Sequence, residues 1–196
     1  MDFQNKGTIE PSDEYLCSRV AEGDRSAEEL LVLRHMRLVR ACARPYFLAG
    51  GDSEDLIQEA MFGLLKAIRE FSPQRDAAFR TFAETCIRNR IRSAIKSADC
   101  DKHAPLNRSI PFEHPMLGSV SGPEDLVIGQ EEEREQLEKI NRFLSPLERR
   151  VVALYLNGHS YQEIGLQLGK PAKSVDNAVQ RIRRKVAENY GVFSES

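Results

Sequence analysis

The sequence predicts an all-α protein built as two helical domains joined by an extended linker. Three observations carry that expectation. Apolar residues recur at helical spacings through most of the chain, as in Leu30, Leu33, Leu38 and Ala41, a period that lines one face of a helix. Strand signals are nearly absent. From Asp99 to Gly122, Pro105, Pro111, Pro115 and Gly118 interrupt a stretch with neither a helical nor an alternating period, which reads as a connection.

Taken in order, YLCSRV and AEELLVLRHMRLVRACARPYF read as two helices between Asp13 and Leu48. Gly50 and Gly51 break the chain, and Asp52 or Ser53 is placed to cap DLIQEAMFGLLKAIREF, which runs helically to Ser72-Pro73. A further helix is expected from near Asp76 to about Ser97. Beyond Pro123, EDLVIGQEEEREQLEKINRFL reads as a charged helix. Ser145 as N-cap and Pro146 in the first turn then open LERRVVALYLN. The expected division is 1–104, a linker over 105–123, and 124–196.

Composition narrows the function. The 196 residues, 41% hydrophobic, suffice for one large or two small cores. No run approaches the roughly 18 to 20 apolar residues that span a bilayer, and MDFQNKGTIEP lacks the basic start and apolar core of a leader. The expectation is a cytoplasmic protein without a membrane contact. Cys17, Cys42, Cys86 and Cys100 form no CxxC pair and no cluster with histidines, so neither a metal site nor a cofactor is expected. There is also no glycine-rich phosphate loop, nucleophile elbow or paired catalytic carboxylate motif, which argues against an enzyme.

The net charge of −2 hides a segregation. Met1 to Leu30 and Glu113 to Glu138 are acidic, whereas Arg75 to Arg108 and Lys170 to Lys185 are basic. Two separate polyanion-facing surfaces are the natural reading, with acidic segments that disfavour free binding to DNA.

The second basic block carries a pattern. After Gly158, SYQEIGLQLGKPAKSVDNAVQRIRRKVAENY reads as a short helix, a turn at Gly169 and a longer helix, a helix-turn-helix arrangement. Ile164 and Leu168 are the expected core of the short helix. Val175, Ala178, Val179, Ile182 and Val186 are the expected core of the long one. Lys173, Asn177, Gln180, Arg181 and Arg184 then share the other face, where amides and cations can meet base edges and phosphates. Asp176 beside them repels phosphate, yet a carboxylate can also accept from a cytosine amine, and its role stays open.

The first basic block is FRTFAETCIRNRIRSAIK, with five cations in eighteen residues. Phe79, Phe82, Ala83, Cys86, Ile87, Ala94 and Ile95 supply a packing face. Thr81, Thr85, Arg88, Arg92 and Lys96 repeat along the other with Asn89 beside them, forming a cationic row. Two such modules separated by a linker suggest two-point binding along one nucleic acid.

In this order, DLIQEAMFGLLKAIREF, FRTFAETCIRNRIRSAIK and the terminal helix-turn-helix resemble bacterial sigma factors of the sigma-70 family. The likeness is in particular to the sporulation sigma-H type, whose linker KHAPLN also resembles, and the middle domain of primary sigma factors is missing. The resemblance implies a sigma2-like and a sigma4-like domain, no catalytic site of the chain's own, and partners in core RNA polymerase, promoter DNA and an anti-sigma protein. Asp55, Gln58, Glu59, Met61 and Leu65 map onto the surface that docks on the β′ clamp helices, and the last domain's outer apolar side onto the site for the β flap. Phe79, Phe82, Arg88, Asn89, Arg92 and Lys96 map onto the helix that reads and melts the minus-ten element. The two phenylalanines can serve either as core or as stacking faces for a flipped base. Lys173, Asn177, Gln180, Arg181 and Arg184 map onto the minus-thirty-five reader. Where primary sigma factors carry two adjacent tryptophans, this chain has Thr85 and Cys86, and it contains no tryptophan. The competing reading is a helix-turn-helix regulator that binds operators as a dimer, which accounts only for the C-terminal third.

Overall fold

A computed structural model describes residues 10–48, 53–72, 77–101 and 140–193, with seven helices and no strand among them. The linker expected over 105–123, most of the charged helix after Pro123, the acidic run at Glu131, the breaker glycines 50 and 51 and the cap at Asp52 lie outside the described residues.

Helix α1 spans Asp13–Ala21 and is capped by Ser12, whose hydroxyl accepts from the Tyr15 amide. Its first turn carries Asp13 and Glu14 against the positive end of the helix dipole. Helix α2, Arg25–Leu48, is the longest element and contains Pro45. Pro45 lacks the backbone N–H that would otherwise donate to the Ala41 carbonyl, so the helical ladder is short of one bond there. Helices α3, Ser53–Glu70, and α4, Phe79–Asp101, follow. Helix α4 begins at Phe79 and extends to Asp101, so the expected start near Asp76 and end near Ser97 are each shifted by a turn.

The α3–α4 pair is an antiparallel hairpin. Its register is read from Glu59 paired with Arg90 at 2.5 Å, Gly63 seated against Ile87, and Phe71 edge-on to Phe79 at 5.3 Å between ring centres. As the residue number rises on one helix it falls on the other. A Cβ on Gly63 would stand 2.7 Å from the Ile87 Cα, closer than carbon atoms approach. Glycine there lets the two backbones meet.

Leu31, Val39, Leu64, Ile68, Phe79, Ile87 and Ile91 are buried together and close the first core. His35 is buried in it, with Nε2 2.8 Å from Asp13 and its ring 5.1 Å from that of Phe79. Full burial of residues of this size is worth about 1.5–3 kcal/mol each, so this group holds the N-terminal domain together.

Helices α5, Pro146–Leu156, α6, Tyr161–Leu168, and α7, Ala172–Phe193, form the C-terminal domain. Ser145 and Ser160 each complete a capping box, with Glu148 and Glu163 respectively, which satisfies two otherwise orphaned amides at each start. Pro146 sits in the first turn, as expected. Gly169 ends α6 in the left-handed region at φ 62°. Val151, Val152, Tyr155, Ile164, Val175, Val179, Ile182 and Val186 form the second core. Leu168 is only partly buried at its edge, because it is the last residue before the turn.

Helix α2 belongs to both cores. Leu31 and Val39 lie in the first, while Phe47, near its C-terminus, is buried in the second. The division at residue 104 therefore does not separate the two cores cleanly.

Candidate nucleic-acid and polymerase interface

Helix α7 presents its core residues to α5 and α6 and leaves the opposite face open. Lys173, Asn177, Gln180, Arg181 and Arg184 are all exposed on it. They are not equally free. Lys173 Nζ donates to Asp176 Oδ2 at 2.9 Å, so Asp176 holds a cation at the entry of the row. Arg181 lies 3.5 Å from Glu148, and Arg184 lies 3.8 Å from Glu188. Asn177 and Gln180 stand between them as the exposed amides.

Glu148 is the buried charge behind this face. Its carboxylate receives Lys185 Nζ at 2.7 Å and the Ser145 amide at 2.8 Å. Burial pushes its pKa upward, but these hydrogen bonds and the Lys185 charge outweigh it and bring the carboxyl down to about 2. Glu148 thus pins the start of α5 to the middle of α7. Sequence reading passed over it as one helix-start acid among many.

The candidate row on α4 is less uniform than its spacing suggested. Asn89 and Lys96 are exposed, but Arg92 is half-buried and reaches the Tyr46 hydroxyl. Arg88 is drawn inward to Glu84 on the previous turn. Its Nε is buried without a hydrogen-bond partner, and it lies near Cys42. Phe79 is completely buried between His35 and Phe71. Of its two open readings, the structure places it in the core, because it opens α4 where α1, α2 and α3 converge. Phe82 is partly buried, with its ring 5.7 Å from that of Phe71. Thr85 turns its hydroxyl back to the Thr81 carbonyl at 3.1 Å, and Cys86 packs against the core.

On α3, Asp55 and Gln58 are exposed, and Glu59 is tied to Arg90. Met61 and Leu65 are partly buried, Met61 against the first core. Phe62, which sequence reading did not select, is the large apolar residue this helix leaves open, at 55% exposure and with the Arg90 guanidinium 5.9 Å from its ring centre. The signal that could have found it is its position between the apolar face and the Glu59 stripe.

Sequence reading also missed a row on α2. Arg37, Arg40 and Arg44 share one helical face and reach the C-terminal domain. Arg44 donates to the carbonyls of Tyr155 and His159, each at 2.6 Å, with its guanidinium 4.1 Å from the Tyr155 ring centre. Arg40 donates to the Gly158 carbonyl at 2.7 Å, and Arg37 to His159 Nε2 at 2.9 Å. These acceptors lie at the C-terminal end of α5 and in the loop after it, where unpaired carbonyls and the helix dipole favour cations. Burial lowers the Arg44 pKa to about 10, which leaves it charged at neutral pH.

Cys17, Cys42 and Cys86 form no disulfide, and among the described residues no group of acids, histidines or cysteines could hold a metal ion. No helix among the described residues is long and apolar enough to cross a membrane.

Two helical units, each with a polar and cationic helix face turned away from its core, define a DNA-directed protein of helix-turn-helix type. The chain matches the family models of sigma-70 region 2 over residues 31–99 and of sigma-70 region 4 over residues 134–186. It is 42% identical to the RNA polymerase sigma-H factor of Bacillus licheniformis over 202 residues, covering 96% of this chain and 90% of that protein. The RNA polymerase sigma-H factor of Bacillus subtilis (strain 168) is 41% identical, covering 96% of this chain and 92% of that protein. The crystal structure of the RNA polymerase sigma-H factor from Fusobacterium nucleatum is similar over 72% of this chain and 98% of that one, at 32% identity and a TM-score of 0.33. The protein belongs to the sigma-70 family of RNA polymerase sigma factors. Within it the chain is an alternative sigma factor, a subunit of RNA polymerase that directs transcription initiation at promoters. The dimeric operator-binding regulator is not favoured, since family models match both halves and not only the C-terminal third.

Proposed function

We propose that this sigma factor reads a promoter at two points, with α7 on the minus-thirty-five element and α4 on the minus-ten element, while α3 holds the polymerase. The observation that carries the reading is the α7 face, where five polar or cationic side chains stand opposite the buried Val175, Val179, Ile182 and Val186. A helix of this kind behind a tight turn enters the major groove. Asn177 and Gln180 suit adenine edges, Arg181 suits guanine, and Lys173 and Arg184 suit phosphates.

On α4, Asn89, Arg92 and Lys96 are the residues we assign to the upstream edge of the minus-ten element. Phe82, at the margin of the core, is the aromatic residue within reach of an unstacked base, and Arg88 supports the helix from within. On α3, Asp55, Gln58, Glu59 and Phe62 form the face for the β′ clamp helices, with Met61 and Leu65 bracing it from the core side. Acids and an amide around an apolar anchor suit a basic partner surface. The outer apolar side of the C-terminal domain, where Leu166 is exposed, is assigned to the β flap. The chain works in the cytoplasm with polymerase, contributes no catalytic group of its own, and is open to an anti-sigma protein that covers either face.

The test is transcription in vitro with purified core polymerase on genomic fragments, with and without the chain. Promoter-specific starts that appear only with the chain are expected. Operator-like shifts of DNA by the chain alone, with no new starts, would refute the reading.

A further inference from the structure

Apart from the faces assigned to polymerase and promoter, the molecule has a cleft of about 470 Å³ bordered by α1, α2 and the start of α4. Arg34, Arg37, Leu38 and Ala41 line it from α2, at spacings of three and four that put them on one helical face. Asp13 of α1 and Arg80 of α4 line it as well, with Asn157, the residue that caps the end of α5. A rounded space of that volume is about 10 Å across, which falls in the size range of small-molecule sites.

The charges around the cleft do not cancel. Its described lining holds one carboxylate, Asp13, against three guanidiniums. Asp13 is already engaged: one oxygen takes Arg34 Nη1 at 2.8 Å and the other faces His35 Nε2 at 2.8 Å. Glu14, next in the chain, is taken by the Phe79 amide at 3.2 Å. Arg37 is exposed and has a neutral acceptor, His159 Nε2, at 2.9 Å. Arg80 is exposed and has no acid paired with it among the described residues. Two uncompensated cations beside one cavity raise its potential and favour an anion between them. A guanidinium grips phosphate through paired, in-plane N–H donors, so phosphate is the anion that suits this pair.

The rest of the lining limits what the phosphate is attached to. A carboxylate accepts about four hydrogen bonds, so Asp13 keeps room for hydroxyl donors beside its bonds to Arg34 and His35. Asn157 spends an Nδ2 hydrogen on the Ala153 carbonyl at 2.9 Å and keeps Oδ1 as a further acceptor. Leu38 and Ala41 offer an apolar patch on which carbon can rest.

We infer that this cleft is a binding site for a small phosphate ester with neighbouring hydroxyls, of sugar-phosphate or nucleotide size. Arg37 and Arg80 hold the phosphate, and Asp13 and Asn157 accept from the hydroxyls. Arg34 is the fixed member: its bonds to Asp13 and to the Pro11 carbonyl, both 2.8 Å, keep the carboxylate in place. The site does not depend on the promoter reading, because none of these residues is assigned to DNA or polymerase.

The experiment is calorimetric titration of the isolated full-length chain, at constant ionic strength, with ribose 5-phosphate, AMP and inorganic phosphate. Saturable binding of at least one ester is expected, with inorganic phosphate at least about tenfold weaker. Arg37→Gln and Arg80→Gln each remove charge-assisted donors from an exposed position. Each should weaken the ester at least about tenfold while the helical circular dichroism is unchanged. Lys66→Gln, which removes an exposed cation of α3 outside the cleft, should bind as wild type does. Tighter binding of AMP than of ribose 5-phosphate assigns a nucleotide, and the reverse a sugar phosphate; both uphold the site. No saturable binding of either ester up to about 10 mM overturns it. So does wild-type affinity in folded Arg37→Gln and Arg80→Gln, or a loss in Lys66→Gln as large as theirs. Inorganic phosphate that binds as tightly as the esters overturns the ester class.

Discussion

Single side chains set what each surface can do. Glu148 is the clearest case, because one carboxylate joins the Ser145 cap, Lys185 and Arg181. Its folded pKa of about 2 lies below its ordinary 4.5. It therefore contributes stability that is fully present above about pH 4.5 and is lost as pH falls towards 2. In thermal melts across that range, the advantage of wild type over Glu148→Gln should reach about 3 kcal/mol near neutrality and vanish at the acid end. On the reading face, Asn177 is exposed and suited to one base edge. Asn177→Ala should relax preference at a single minus-thirty-five position by about 1–3 kcal/mol in competition footprints, leaving the other positions unchanged.

At the scale of an element, α4 is both the buried partner of α3 and the candidate minus-ten reader, and these two demands divide its residues. Phe79, Ala83, Ile87 and Ile91 serve the core, and Arg88 is drawn into the same packing through Glu84. Under the proposed reading, Asn89, Arg92, Lys96 and the edge of Phe82 are left to DNA. Thr85 and Cys86 offer no flat ring to wedge between bases, since one bonds its own helix and the other packs inward. Melting should then depend on favourable base contacts to recover the few kcal/mol that unstacking costs. Transcription from single-base minus-ten variants should accordingly fall steeply away from the best sequence, and broad tolerance would count against this account of α4.

Over the whole molecule, α2 is the shared element: its first half fills the N-terminal core and its end fills the C-terminal one. Phe47→Ala should destabilise a domain to which that residue does not belong in sequence. Hydrogen exchange should show α5–α7 amides losing up to about 3 kcal/mol of protection while α3 and α4 amides keep theirs. Equal loss in both units, or none, would show that Phe47 is not part of the second core in solution.

Much of this was legible from the residues alone. The helical period, the Ser145 and Ser160 starts, the Gly169 turn and the apolar face of α7 are local features, written in spacings of three and four and in cap chemistry that acts within one turn. The exposed row on α7 followed, because the face opposite a buried stripe has nowhere to go but solvent. Other features needed tertiary structure. Arg88 and Arg92 share the spacing of a solvated row; Arg88 pairs with Glu84 one turn back on its own helix, whereas only the position of α2 brings Tyr46 to Arg92. Phe62 was hidden for the same reason, since which flank of α3 is covered depends on where α4 packs. Arg37, Arg40 and Arg44 look like ordinary surface cations on a helix. Arg40 and Arg44 bond to backbone carbonyls more than a hundred residues away, and a carbonyl carries no side-chain identity for a sequence to reveal. The sequence by itself determined the helices, their faces and the family to which they belong. The tertiary structure alone decided which faces are already occupied, because occupancy depends on long-range docking that no local period encodes.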